Sequence, residues 1–287
     1  MTGVSYWEFA VHMHRAGAIP SISTYCYYRG TNQLDISKFE YAIKNFTKIT
    51  GSNNLIVTVE EAYFLDIEFV DIIKKYGIKY LEIFPSILEQ RQLPVDIDII
   101  KETLHKDFNT KIFYRLSNIE LLKQIIGRFD GVVITGNDSA GHGAKRDTKT
   151  IFLEMREFFR NKKITLIPGG GIGTPQQVQE YFELGADAVA VGTLFAACKE
   201  SALSDAVKQK MIGATKQDLS RFSDTRQQSL MLGPEIKGDN NNHSISLQAG
   251  IKGDGSIGHV FAGHGIDSVT KIRTARETVE YLMGKNL

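Results

Sequence analysis

His142 stands between two glycines in GVVITGNDSAGHGAKRD, directly after a short apolar run. An imidazole titrating near neutrality can steady a developing oxyanion or take a proton, and flanking glycines let the backbone carry it into a cleft. Asp138 lies in the same loop as a candidate partner. A lone loop histidine is more often a surface residue, so its assignment leans on the glycine-rich segment nearby. That segment, ITLIPGGGIGTPQQVQEYFELG, places Gly169, Gly170, Gly171 and Gly173 between an apolar run and an amphipathic one. Glycine leaves main-chain amides bare, and Pro175 suits the first turn of a helix whose own unpaired amides face back toward the loop. The chemistry this serves is the holding of an anion, above all a phosphate. VGTLFAA comes next, with Gly192 and Thr193 at what would be the adjacent rim, and two such neighbouring rims at the ends of parallel strands commonly share one phosphate. The plainer alternative is that these glycines only permit tight strand-to-helix turns. GGGIGT is neither a GxGxxG nor a Walker loop.

The elements that must position these residues are short apolar runs at 18–23, 54–59, 78–84, 111–116, 131–136, 164–170 and 188–193. Continuous apolar runs of this length suit parallel strands covered on both faces. Helical stripes lie between most of them: Ile67, Val70, Ile72 and Ile73; Ile119, Leu122, Ile125 and Ile126; Phe152, Met155, Phe158 and Phe159; Val178, Tyr181, Phe182 and Leu184. The alternation predicts an α/β chain of the TIM-type (β/α)8 barrel class. Seven strands are counted where closure needs eight. The chain opens on MTGVS and the helical WEFAVHMHRAG, so the first strand is expected to be truncated or missing, or replaced by an irregular or borrowed segment. One domain is expected over 1–287. Residues 199–258 form an insertion after the last strand, helical over 199–219 and looped over 233–258. Residues 267–284 form a closing helix, capped by Asp267 or Ser268.

Hydrophobic residues at 42% and charged residues at 23% exclude a disordered chain, and 34 Lys and Arg against 33 Asp and Glu leave no net field for nucleic acid or an anionic membrane. No run approaches the roughly 18 apolar residues of a spanning helix, and Cys26 and Cys198 stand far apart, so a cytoplasmic protein with reduced thiols is expected. His12 and His14 sit at i and i+2 on one helix and face different ways. His105 and His243 have no partner pattern, and His259 and His264 in GHVFAGHG could meet only if that loop folds back. No metal site is expected.

With these residues in place, the sequence resembles the nitronate monooxygenase family, also called 2-nitropropane dioxygenase-like, related to FMN-dependent enoyl-acyl-carrier-protein reductases. The family loop reads approximately GxEAGGHxG. GNDSAGHG matches it at Gly136, Gly141 and His142, with Asp138 replacing Glu and Ser139-Ala140 replacing Ala-Gly. The later pattern of GGI, ALGADGVxxGTRF and Glu-Ser is met by GGIGT, ELGADAVAVGTLF and Glu200-Ser201, so the likeness covers roughly 130–201, and FAGHGIDSV looks like the family ending. The resemblance implies that His142 is the catalytic histidine and that FMN is the cofactor. It places Gly170, Gly171, Gly192 and Thr193 at the FMN phosphate, Gly141 beside the flavin, and Met1, Thr2 and Gly3 against it. Thr58 falls where the family often has Asn. The implied activity is flavin-dependent oxidation of a small organic anion such as an alkyl nitronate by molecular oxygen. The alternatives are an NAD(P)H-dependent enoyl reductase that meets an acyl-carrier protein, with Lys145, Arg146, Lys149 and the lysines of 208–216 as its approach surface, and a non-catalytic phosphate- or flavin-binding scaffold.

Overall fold

The fold is taken from a computed structural model that describes residues 4–29, 33–60, 66–84, 102, 104, 109–116, 129–221, 228–233, 240–254, 256 and 258–285. Six parallel strands, β1 (Ser21–Ser23), β4 (Ile56–Glu60), β5 (Tyr80–Phe84), β6 (Lys111–Leu116), β7 (Gly131–Ile134) and β8 (Thr165–Pro168), lie side by side in chain order. A two-stranded hairpin, β2 (Tyr28–Arg29) and β3 (Gln33–Leu34), follows β1. Ile56 aligns with Ser21 and Tyr80, and Gly131 aligns with Phe113 and Thr165. Alternation along the strands sends Val57, Val59, Leu81, Ile83, Ile112, Tyr114, Val132 and Ile134 to one face, where they join the apolar core. Each such side chain, fully buried, contributes about 1.5–3 kcal/mol.

The covering helices run α1 (Trp7–Arg15), α2 (Ile36–Thr50), α3 (Ile67–Lys75), α4 (Thr148–Phe158) and α5 (Pro175–Glu183). Their boundaries follow local chemistry. The Asp35, Asp66 and Asp147 carboxylates each accept a first-turn amide, and Thr174 forms a capping box with Gln177 ahead of Pro175. This is a TIM-type α/β fold, as the pattern of apolar runs predicts.

Several boundaries differ from those predicted. Residues 188–192 lie beside β8 without becoming a strand of the sheet, although the Asp187 and Ala190 amides donate to Leu166 O and Pro168 O at 3.1 and 2.9 Å. Beyond them comes α6 (Thr193–Ala196), and of the helical stretch foreseen at 199–219 the α-helix α7 (Asp205–Met211) occupies only part. The segment 233–258 was expected as loop, yet it holds α8 (Asn240–Lys252). A three-stranded antiparallel sheet, β9 (Leu219–Arg221), β10 (Gln228–Met231) and β11 (His259–Phe261), was not foreseen. The last helix, α9 (Ala275–Leu282), starts later than predicted, because Thr274 rather than Asp267 or Ser268 caps it through a box with Glu277. Asp267 instead accepts the Lys216 amide at 2.6 Å. The helix expected at 119–126, His105, and Met1, Thr2 and Gly3 lie outside the described residues.

Candidate functional site

The C-terminal ends of β7 and β8 bring the histidine loop, residues 136–143, against the glycine rim at 169–173. Thr148, at the start of α4, links them. Its hydroxyl accepts the Gly136 amide at 2.8 Å and donates to Asp138 Oδ1, while its own amide donates to the same oxygen at 3.0 Å. Asp138, the candidate partner of His142 in the same loop, therefore also braces that loop through Thr148. A methyl group at Gly170 would overlap the Thr148 hydroxyl and lie 2.9 Å from Asp138 Oδ1. One at Gly171 would lie 2.8 Å from Asp138 Oδ2. Gly171 also has φ +66°, in the left-handed region that a side chain resists. Glycine at these positions is thus required by the close approach of the histidine loop, a reason distinct from ligand access.

The second rim is adjacent. Ala190 donates to Pro168 O, and a methyl at Gly169 would lie 3.1 Å from Ala190 Cβ. Among the described residues, the amides of Gly170, Gly171, Gly192 and Thr193 donate to no carbonyl or side chain, whereas those of Gly169, Gly173 and Thr174 are all spent. Four free main-chain donors on neighbouring rims fit a doubly charged phosphate. A hydrogen bond from an amide to a charged oxygen contributes about 1.5–3 kcal/mol.

A fourth wall comes from the end of β11 and the 3-10 turn His264–Ser268. The Gly263 amide donates to Thr193 Oγ1 at 3.1 Å, and the His264 amide donates to Asp138 O at 2.9 Å. A side chain at Gly263 would collide with the backbone of residues 138–140, and one at Gly265 would press on Ile172 O at 3.0 Å. The loop of GHVFAGHG does fold back, but its two histidines part. His264 lies at the site, while His259 is fully buried on the other side, its Nδ1 2.9 Å from Ser246 Oγ. The alternating glycines of FAGHG were the signal available in the sequence.

His142 itself is half-buried, and its loop is latched from outside the barrel. Gly141, at φ +66°, exchanges both main-chain hydrogen bonds with Gln228 of β10, at 3.0 and 2.9 Å. Arg221 of β9 donates to Asn137 O in the same loop. Burial lowers the Arg221 guanidinium pKa, and the negative charge of Asp138 opposes that shift.

Thr58 is not brought to these rims, since β5, β6 and β7 lie between β4 and β8 in the sheet order. It belongs to a buried polar row on the face of the strands away from the helices. Its hydroxyl donates to Glu82 Oε2 at 3.3 Å, and Arg115 binds Glu82 Oε1 through Nε and Nη2. Sequence reading missed Glu82 and Arg115 because each is a single charge inside an otherwise apolar strand. At the strand ends above, the Tyr25 hydroxyl donates to Glu60 at 2.9 Å, and its ring stacks on Phe84 with centroids 5.4 Å apart. Among the described residues no group of three or more His, Cys, Asp or Glu is placed to hold a metal, and no helix is long and apolar enough to cross a membrane.

Solved structures share this architecture. FabK from Thermotoga maritima superposes with a TM-score of 0.80 at 19% identity, covering 99% of this chain and 90% of its own. The nitroalkane oxidase from Streptomyces ansochromogenes gives 0.72 at 16% identity, with 99% and 92% covered. The enoyl reductase domain of MlnA, from the macrolactin biosynthesis cluster of Bacillus amyloliquefaciens, gives 0.73 at 16% identity over the same shares. Among proteins of curated function, none matches the chain. A family model described as nitronate monooxygenase matches residues 105–285, more than half of the chain, with the histidine loop, both glycine rims and the 261–268 return inside it, and the chain therefore belongs to the nitronate monooxygenase family of flavin-dependent oxidoreductases.

Proposed function

We propose that the flavin is FMN, held by its phosphate across Gly170, Gly171, Gly192 and Thr193, and that the chain oxidises a small organic anion, with an alkyl nitronate as the leading case. The observation that carries this reading is the set of four unspent amides on two adjoining rims, with the histidine loop packed onto one of them. FMN bound there would take two electrons from the substrate and pass them to molecular oxygen. The protein contributes position and charge. The Gly141–Gln228 pairing and the Thr148–Asp138 bonds fix the loop, so His142 is presented from a constrained backbone. Its imidazole stabilises the negative oxygens of a nitronate, or takes the α-proton when the neutral nitroalkane enters; water supplies the carbonyl oxygen, and the products are a carbonyl compound, nitrite and the hydrogen peroxide formed from dioxygen. We read residues 1–287 as one FMN-binding domain, with β9 and β10 of the small sheet in its 199–258 insertion and β11 directly after it, and Gly141, Met1, Thr2, Gly3 and Thr58 as further cofactor contacts.

The likeness to FabK and to the MlnA enoyl reductase domain keeps NAD(P)H-dependent enoyl reduction as the second reading. The basic approach surface it calls for is weakened by the structure. Arg146 is paired with Glu154 and Lys149 with Glu180. Lys208 is buried, with its ammonium donating to Lys199 O and Ser201 O, and Lys210 donates to Leu232 O. The visible spectrum of the purified protein, followed by anaerobic mixing with propyl-2-nitronate and separately with NADPH, separates the readings. We expect a yellow protein bleached by the nitronate. Replacement His142→Ala should lower turnover by roughly 10²–10⁴ with flavin retained. Loss of flavin with turnover per bound flavin preserved would contradict the role. A protein that stays colourless with added FMN would leave the scaffold reading.

A further inference from the structure

Gln228 is 3% exposed, and its Nε2 is buried without an acceptor among the described residues. A buried amide donor left unmade costs about 1–3 kcal/mol, so its retention calls for a reason. Position supplies one. Gln228 is paired through both main-chain bonds with Gly141, the residue before His142. Its direct cross-strand neighbour on β9 is Arg221, and opposed residues of an antiparallel pair project to the same face. Arg221 reaches from that face to Asn137 O of the histidine loop. Further along the same face Leu230 and Val260 enter the core, so this is the side of the small sheet turned toward the barrel. The opposite side carries His259, which meets Ser246 of α8.

We propose that Gln228 is a substrate-binding residue, whose side-chain N–H donates to an oxygen of the anion that His142 engages. The proposal rests on the oxidation reading for the identity of that anion. The small sheet then has two tasks, holding the histidine loop by its main chain and supplying one polar side chain to the ligand. Donors from two different segments would grip a nitronate at both of its oxygens, or at one oxygen from two directions, and a neutral hydrocarbon of the same shape would gain nothing from either.

The main-chain bridge survives any substitution other than proline, so Gln228→Leu removes the amide alone. With propyl-2-nitronate and oxygen, we expect KM to rise about tenfold or more, the weight of one hydrogen bond to a charged oxygen. kcat should change much less, the flavin spectrum should be unaltered, and Tm should be no lower than that of the unmodified protein, because an unsatisfied buried donor has been removed. Gln228→Glu should raise KM further, through repulsion of the anion. An unchanged KM in Gln228→Leu, or a lowered Tm, would overturn the proposal, since either assigns the amide to the architecture. A flavin-loaded wild-type protein that ignores nitronate sinks the oxidation reading instead, and the Tm comparison then still decides whether the amide is structural: a fall overturns the proposal and its absence supports it.

Discussion

Substitution Gly170→Ala probes the joint between the histidine loop and the glycine rim. A methyl at Gly170 would overlap Thr148 Oγ1 and sit 2.9 Å from Asp138 Oδ1 and 3.1 Å from Ser139 Cβ, all below or at the edge of ordinary carbon contacts. Thr148 cannot yield freely, because its hydroxyl holds the Gly136 amide and the Asp138 carboxylate at once. Overpacking costs typically about 1–3 kcal/mol. Displacing the hydroxyl forfeits about 1 kcal/mol for the neutral bond and about 1.5–3 kcal/mol for the charged one, if neither re-forms. We expect Gly170→Ala to cost about 2–4 kcal/mol, a large share of the stability of a typical domain. Thr148→Ala alone should cost a similar amount, from the same bonds. The decisive quantity is their coupling. Once Thr148→Ala has removed the obstructing oxygen and already lost its bonds, adding Gly170→Ala should cost at least about 1 kcal/mol less than it does in the wild-type background. Urea unfolding of the four proteins of the cycle, with the m-value checked for constancy, measures this. Additivity within about 0.5 kcal/mol would refute the claim that Gly170 is glycine because Thr148 occupies the space of its Cβ.

Two other expectations concern single groups. The Asp147 carboxyl is held below its ordinary pKa by the Thr150 amide, and next by the Thr150 hydroxyl, so its contribution is present above the unfolded pKa near 4 and is lost as pH falls through the lower folded value. Asp147→Ala should therefore destabilise α4 by about 1 kcal/mol at pH 7, with the deficit shrinking below pH 4; an equal deficit at pH 7 and pH 3 in urea unfolding would speak against the cap. Burial pushes the Cys198 thiol up to about 12, and Thr278 Oγ1 lies 3.1 Å from its sulfur. In the folded protein Cys198 should resist iodoacetamide at pH 8 and react only after denaturant is added, as mass spectrometry of the modified peptides would read out.

The barrel strands were legible because a strand buried on both faces needs a largely apolar, β-prone run, and IVTV, YLEIF and GVVI are such runs even with Thr58 and Glu82 among them. The helix at 175–183 was legible from Thr174, Pro175 and Gln177, a local signal that needs no tertiary partner. The small sheet was hidden for the opposite reason. QSLM and HVF are three or four residues long, and what makes them strands is pairing with each other and with Gly141, which no local window contains. The asparagine-rich start of α8, NNNHS, reads as a turn by propensity, whereas the helix packs on β11 further along, through Ser246 and Gly250 against His259. Within the site, the glycine rims and His142 were visible as types and spacing. The partners of Asp138, the return of residues 261–268 and the Glu82–Arg115 pair were not, since each is a contact between segments at least ten residues apart in the chain.

That last return has a consequence for how the protein becomes competent. Gly263 and His264 complete the hollow by bonding to Thr193 and Asp138, residues made some seventy and more than a hundred positions earlier. A chain still emerging from the ribosome can assemble its parallel strands long before it owns this wall, so the hollow between the rims is closed only in the final stretch of translation. Any early stop before residue 261 would yield a sheet with its rims in place and this wall missing.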